Sequence, residues 1–212
     1  MVHHILFDFD GTLYDTVEGI AKSAQYALEK LGVSAELDEL RCFAGPPLAD
    51  MFMERFGLER EDALQAVYDF RERYKPVGVF ESRPFPEIHG LVERLHAAGK
   101  TLGIATSKRE EMARLLLERE GLLPFFDAVC GSRANGDDKK WQVIARAMET
   151  LGASPEETVL IGDTKYDVAG AQRVGLPCIG VRWGYAVPGE LEAAGADAIA
   201  EDCAALEALL LE

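Results

Sequence analysis

The chain is poor in several things, and each shortage narrows what it does. No apolar run approaches the roughly 20 residues that a membrane-crossing helix needs. Cysteine is scarce and scattered: Cys42, Cys130, Cys178 and Cys203 form no CxxC pair, which speaks against a zinc site or a disulfide framework. Positive charge is in deficit, with 22 Lys and Arg against 37 Asp and Glu and a formal charge of −15. That balance argues against nucleic acid as the main partner, because phosphate backbones are held by clustered Lys and Arg. The first residues lack the basic stretch, long apolar run and small-residue cleavage site of a secretion signal, so a cytoplasmic location is expected. The acidity also raises a question for any phosphorylated ligand, which would need a local positive centre.

What is present is an ordinary globular mixture. Its 212 residues, 48% of them apolar, suffice for one large core or for a core with a smaller appended domain. Six apolar runs, HILFDFD, TLGIATS, FDAVCG, TVLIGD, PCIGVRW and DAIAE, alternate with amphipathic stretches at 86–98, 109–119, 140–151, 165–174, 188–194 and 203–211. Nearly continuous apolar runs suit strands covered on both faces. Strand–helix repetition predicts a parallel sheet with right-handed crossovers, an α/β fold of Rossmann-like layout.

One interval breaks the rhythm. Roughly 85 residues separate the first run from the second, far more than a crossover needs. Apolar side chains recur there at helical spacing over 16–31, 48–56 and 61–74, with no strand-like run. Residues 15–80 are therefore read as an all-helical insertion, with 1–14 and 81–212 forming the α/β core.

In open parallel sheets, ligands bind beyond the carboxyl ends of the strands. The polar residues fall there. Asp8 and Asp10 close the first run, Thr106 and Ser107 the second, and Asp163 ends VLIGD, while Lys140 opens the helix before that strand. Unpaired carboxylates are costly to take out of water, so acids ending an apolar strand call for a partner. Asp8 and Asp10 are two apart, and strand alternation would point both to one side, away from Phe7 and Phe9. Gly11 permits a tight turn and close backbone approach. GDTKYD adds Asp163 and, one helical turn on, Asp167. Carboxylates converging on one rim repel unless a cation stands among them, and an all-oxygen set without histidine favours Mg²⁺ over zinc.

DFDGT, ATS, a later lysine and GDTKYD, in that order, resemble the four motifs of the haloacid dehalogenase superfamily in its phosphatase branch. The resemblance runs through essentially the whole chain, and the helical insertion is similar to that family's type-1 cap. GDTKYDVAGAQRVGLPCIGV is especially similar to relatives of phosphoglycolate phosphatase, and VRWGYAVPGELEAAGAD to a bacterial 5′-nucleotidase-like subgroup.

The resemblance implies a Mg²⁺-dependent phosphomonoester hydrolase acting on a small phosphorylated metabolite. It makes Asp8 the nucleophile that forms an aspartyl-phosphate. Asp10 becomes the acid that protonates the leaving alcohol and the base that deprotonates water. Asp8, the Asp10 carbonyl and Asp163 would hold the metal, with Asp167 and Gly11 in support. Thr106, the backbone N–H at Ser107 and Lys140 would hold the phosphoryl oxygens, which answers the charge question locally. Proline commonly follows the motif lysine; here DDKKWQ offers Lys139 and Lys140, and the spacing to the helix selects Lys140 with Lys139 in reserve. In RCFAGPPLADMF the Gly-Pro-Pro turn cannot continue a helix. The resemblance implies that this turn, with Arg41 nearby, faces substrate when the cap closes; Arg41, Gly45 and Lys75 are the cap candidates for specificity.

Alone, Thr106 reads as a helix cap and Lys140 as a solvated helix-start residue; the ordered set carries the inference. A sugar-phosphate mutase shares the first motifs, and a non-enzymatic ligand-binding member shares the fold. Dehalogenation fits worse, because the related dehalogenases lack an acid at the position of Asp10 and need no Mg²⁺. A monomer or homodimer is expected, with no nucleic-acid or membrane partner.

Overall fold

Ile5, Leu6 and Phe7 have no solvent exposure and make up most of the first strand, β1 (His4–Phe7), in the computed structural model. The structure describes residues 2–45, 47–133 and 138–211. The chain continues through a short extended piece, β2 (Tyr14–Asp15), into α1 (Val17–Lys30), α2 (Leu48–Phe56) and α3 (Arg60–Tyr74), and returns at β3 (Arg83–Pro84). Helix and strand then alternate: α4 (Ile88–Ala97), β4 (Thr101–Arg109), α5 (Glu110–Arg119), β5 (Ala128–Ser132), α6 (Lys140–Leu151) and β6 (Thr158–Gly162). The series ends with α7 (Lys165–Val174), β7 (Cys178–Val181), α8 (Glu190–Ala194), β8 (Ala198–Ala200) and α9 (Cys203–Leu211). Two compact units result, one of Met1–Tyr14 with Pro84–Glu212, the other of Asp15–Arg83.

The first unit has the expected α/β fold. Its six strands lie in the order β5-β4-β1-β6-β7-β8, every neighbouring pair parallel. β1 is central, with His4 in register with Thr101 of β4 on one side and Thr158 of β6 on the other. The chain steps outward from β1 to β4 and β5, then returns to β6 on the far side. The carboxyl end of β1 therefore opens at the reversal of strand order, where such sheets place ligands.

Alternation along β1 decides what lies on each face. Leu6 packs among Val143 and Ile144 of α6, Val168 and Ala171 of α7, and Leu160 and Cys178 of the sheet. Each such side chain contributes on the order of 1.5–3 kcal/mol by leaving water. Phe7 goes to the other face and meets Phe126 edge-on, ring centroids 6.3 Å apart. The parity that sends Leu6 toward α6 and α7 sends Asp8 the same way.

In the second unit α1 buries Ile20, Ala24, Ala27 and Leu28, a helical stripe that packs against α3. Arg73 ties this unit together, bonding Glu81 at 2.8 Å and Ser23 Oγ at 3.1 Å. Arg41, Gly45 and Lys75 are exposed on it. Pro46, in the Gly-Pro-Pro turn, lies outside the described residues. No described helix is long and apolar enough to cross a membrane.

Candidate active site

Asp8 is the first residue past β1, and its N–H donates to the Ile161 carbonyl at 2.8 Å, which ties it to β6. Lys140 opens α6 and places Nζ 2.7 Å from Asp8 Oδ1 and 2.6 Å from Asp167 Oδ1. All three side chains are nearly closed to solvent, at 9% for Lys140, 13% for Asp8 and 2% for Asp167. Lys139, one residue earlier, caps α6 instead, its N–H donating to Gln142 Oε1 at 2.8 Å. Asp167 also caps its own helix. Its Oδ2 accepts the Thr164 N–H at 3.0 Å and the Thr164 hydroxyl at 2.8 Å, a capping box at the start of α7. Asp167 thus anchors Lys140 with one oxygen and α7 with the other.

Asp163 follows β6 and has no solvent exposure. The Thr12 hydroxyl donates to its Oδ1 at 3.1 Å, and the Tyr185 N–H donates to its Oδ2 at 2.8 Å. Two glycines leave room for this carboxylate. Gly11 has φ +83°, and a Cβ there would run into Asp163 Oδ2; a Cβ on Gly184 would run into Asp163 Cβ. Trp183 Nε1 donates to the Thr12 carbonyl at 3.0 Å, pinning the loop after β7 over the turn after β1.

Burial sets the electrostatics. The Asp8 carboxyl is pushed up to about 6, by desolvation first; Lys140 opposes this, while Asp167 and Asp10 add to it. Asp163 is raised well above the ordinary carboxylate range, again by burial and then by Asp167 and Asp8. Burial works against the Lys140 charge, yet Asp167 and Asp8 more than offset it and hold the ammonium above its ordinary value. The ion pair therefore secures the charge on Lys140 without fully securing that on Asp8. Crowded acids in a dry site leave a deficit of positive charge.

The donor set fits a hard divalent cation. Asp8, Asp163 and Asp167 each offer a carboxylate oxygen, all within 4.8 Å of one another. Asp8 Oδ1 is buried and accepts no well-aligned hydrogen bond, although Lys140 Nζ is near. Oxygen-only ligation at this spacing suits Mg²⁺.

β4 continues three residues beyond Thr106, and its register with β5 breaks between Ala105 and Arg109. Thr106 and Lys108 are buried on this run while Ser107 is exposed. The Lys108 N–H donates to Thr106 Oγ1 at 3.1 Å, and Lys108 Nζ donates to Asp10 Oδ1 at 2.9 Å. Asp8 and Asp10 thus take different lysines. Strand alternation does not carry as far as Asp10, because β1 ends at Phe7 and the chain bends at Phe9 before Asp10 bridges to Tyr14.

The structure gathers Asp8, Asp163, Asp167 and Lys140 into one cluster, with Gly11 at its edge. Thr106 and Asp10 lie together through Lys108. Arg41, Gly45 and Lys75 belong to the other unit. Sequence reasoning overlooked Thr12, Lys108 and the Tyr185 amide. Thr12 closes the DFDGT motif and Lys108 follows ATS, but nothing local marks either as reaching Asp163 or Asp10, and a backbone amide leaves no signal at all.

The haloacid dehalogenase-like hydrolase model matches residues 5–181. A 5′-nucleotidase of Pseudomonas aeruginosa is 39% identical over 209 residues, covering 98% of this chain and 95% of that protein. A phosphoglycolate phosphatase of Agrobacterium fabrum is 32% identical over 216 residues, covering 98% and 91%. A crystal structure described as a predicted phosphatase from Clostridium acetobutylicum superposes with a TM-score of 0.95 at 38% identity, covering 100% of this chain and 99% of that one. The chain belongs to the haloacid dehalogenase-like hydrolase family, in its phosphatase branch.

Proposed function

We propose that the chain is a Mg²⁺-dependent phosphomonoester hydrolase that works through an aspartyl-phosphate on Asp8. One observation carries this reading: a carboxylate largely shielded from solvent, Asp8, stands at the reversal of strand order with Lys140 at 2.7 Å and two further acids within 4.8 Å. An Asp8 oxygen attacks phosphorus, the ester P–O bond breaks, and Asp10 gives its proton to the departing alkoxide. Water then attacks the same phosphorus, Asp10 takes the water proton, and the Asp8 carboxylate is regenerated. Lys140 and the Thr106 hydroxyl bind the non-bridging oxygens throughout. Asp8, Asp163 and the Asp10 carbonyl would hold Mg²⁺, which when bound offsets the repulsion between carboxylate and phosphate.

The relatives' names support a small phosphorylated metabolite of nucleoside-monophosphate or phosphoglycolate type as substrate. Arg41, Gly45 and Lys75 enter as candidates for substrate selection, tested by substitution and read as changed preference. The reading carries with it a cytoplasmic monomer or homodimer. The direct test is a phosphate-release screen over metabolite esters with Mg²⁺, with EDTA, and with Asp8→Asn. Release in Mg²⁺ that EDTA and the substitution both abolish supports the reading. An isomerised sugar phosphate with no free phosphate would favour a mutase instead.

A further inference from the structure

We infer that Lys108 is a positioning residue that holds Asp10 for proton transfer in the second half of the reaction. The inference rests on the phosphatase reading above. Lys108 is a lysine whose side chain is only 5% exposed. Lysine is almost never buried unless paired, and ordering its stem costs rotamer freedom, so its partners tell what it is for. Nζ donates to Asp10 Oδ1 at 2.9 Å and lies 5.6 Å from the centre of the Phe9 ring, within cation–π range. Asp10 itself sits past the end of β1, where no strand alternation aims its side chain.

The same residue orders a second group. Its N–H occupies a lone pair of Thr106 Oγ1 at 3.1 Å, which leaves the hydroxyl proton to be donated elsewhere. Running β4 two residues past Thr106 places amide and ammonium so that one residue orients both the phosphate-binding hydroxyl and the proton-transfer carboxylate.

The step at stake balances as follows. A water oxygen forms a bond to phosphorus, the P–O bond to Asp8 breaks with its electron pair returning to the carboxylate, and the water proton passes to Asp10. Release of 4-nitrophenolate in the first half needs no proton. Losing Lys108 therefore slows the second half selectively.

The test is rapid mixing of Lys108→Met and Lys108→Arg with 4-nitrophenyl phosphate, beside the wild type. In Lys108→Met a burst of about one 4-nitrophenolate per enzyme is expected at near wild-type rate, followed by turnover about 10²-fold slower, with phosphoenzyme accumulating on acid quench. Lys108→Arg should recover most of the turnover. Burst and turnover falling together, or neither changing, overturns the inference and leaves the phosphatase reading standing. If Lys108→Met does not fold, Lys108→Gln is read by the same two phases. A wild type that releases no phosphate from any ester overturns the phosphatase reading, and this inference with it.

Discussion

The Tyr185 amide donates to Asp163 Oδ2 at 2.8 Å, so a loop 22 residues further along the chain fixes the acid at the end of β6. Only a glycine before Tyr185 allows the approach, since a side chain on Gly184 would meet Asp163 Cβ. Gly184→Ala should displace the loop and loosen the carboxylate. Mg²⁺ binding, measured by calorimetry without substrate, is expected to weaken by about 10- to 100-fold while the fold persists. Unchanged affinity would count against the arrangement.

Asp8 gives a pH signature. Its carboxyl is raised from 3.8 to about 6, so the folded chain holds a proton that the unfolded chain releases. Its contribution favours folding below about 3.8 and is lost as pH rises through about 6. In EDTA, Asp8→Asn should be more stable than the wild type at pH 7, by up to roughly 3 kcal/mol, and the gap should close by pH 4. Urea unfolding across that range measures it. A gap that stays constant with pH contradicts the burial argument.

Lys140 joins Asp8 and Asp167, and removing it leaves one buried and one largely shielded carboxylate without their common counter-charge. Lys140→Met is expected to cost about 3–5 kcal/mol. The cost should shrink when Asp8 is already Asn, because one of the two stranded charges is gone. A double-mutant cycle by chemical denaturation reads the coupling; strict additivity would mean that Lys140 and Asp8 do not act together.

Metal should stabilise the fold through the same acids. At free Mg²⁺ near 100 times its dissociation constant, linkage gives about 2.7 kcal/mol of added stability. Asp163→Asn should remove that shift. A thermal or urea shift that survives the substitution would place the metal elsewhere.

The sheet was legible because its strands are nearly pure apolar runs, and β1, β4, β5, β6, β7 and β8 fall on the six runs read from the sequence. Helices α6, α7 and α9 begin and end where periodicity put them. Asp8, Asp10 and Asp163 stood out because each interrupts or ends an apolar run, and Asp167 because it follows Asp163 by one helical turn. Lys108 did not, since in TSKRE it resembles the charged start of the next helix. Its burial follows from β4 running on to Arg109, which keeps positions 106 and 108 on one side. Tyr185 acts through its backbone, and Thr12 looks like any turn threonine until Asp163 lies beside it. Long-range closure of this kind has no local pattern to read.

The most direct measurement is an acid quench of the working enzyme followed by mass spectrometry of its peptides. A phosphoryl group on the peptide bearing Asp8, absent in Asp8→Asn and lost on turnover, is the expected result. Substrate hydrolysis with no label on Asp8 at any time, or with full activity in Asp8→Asn, would mean that this carboxylate is not the nucleophile.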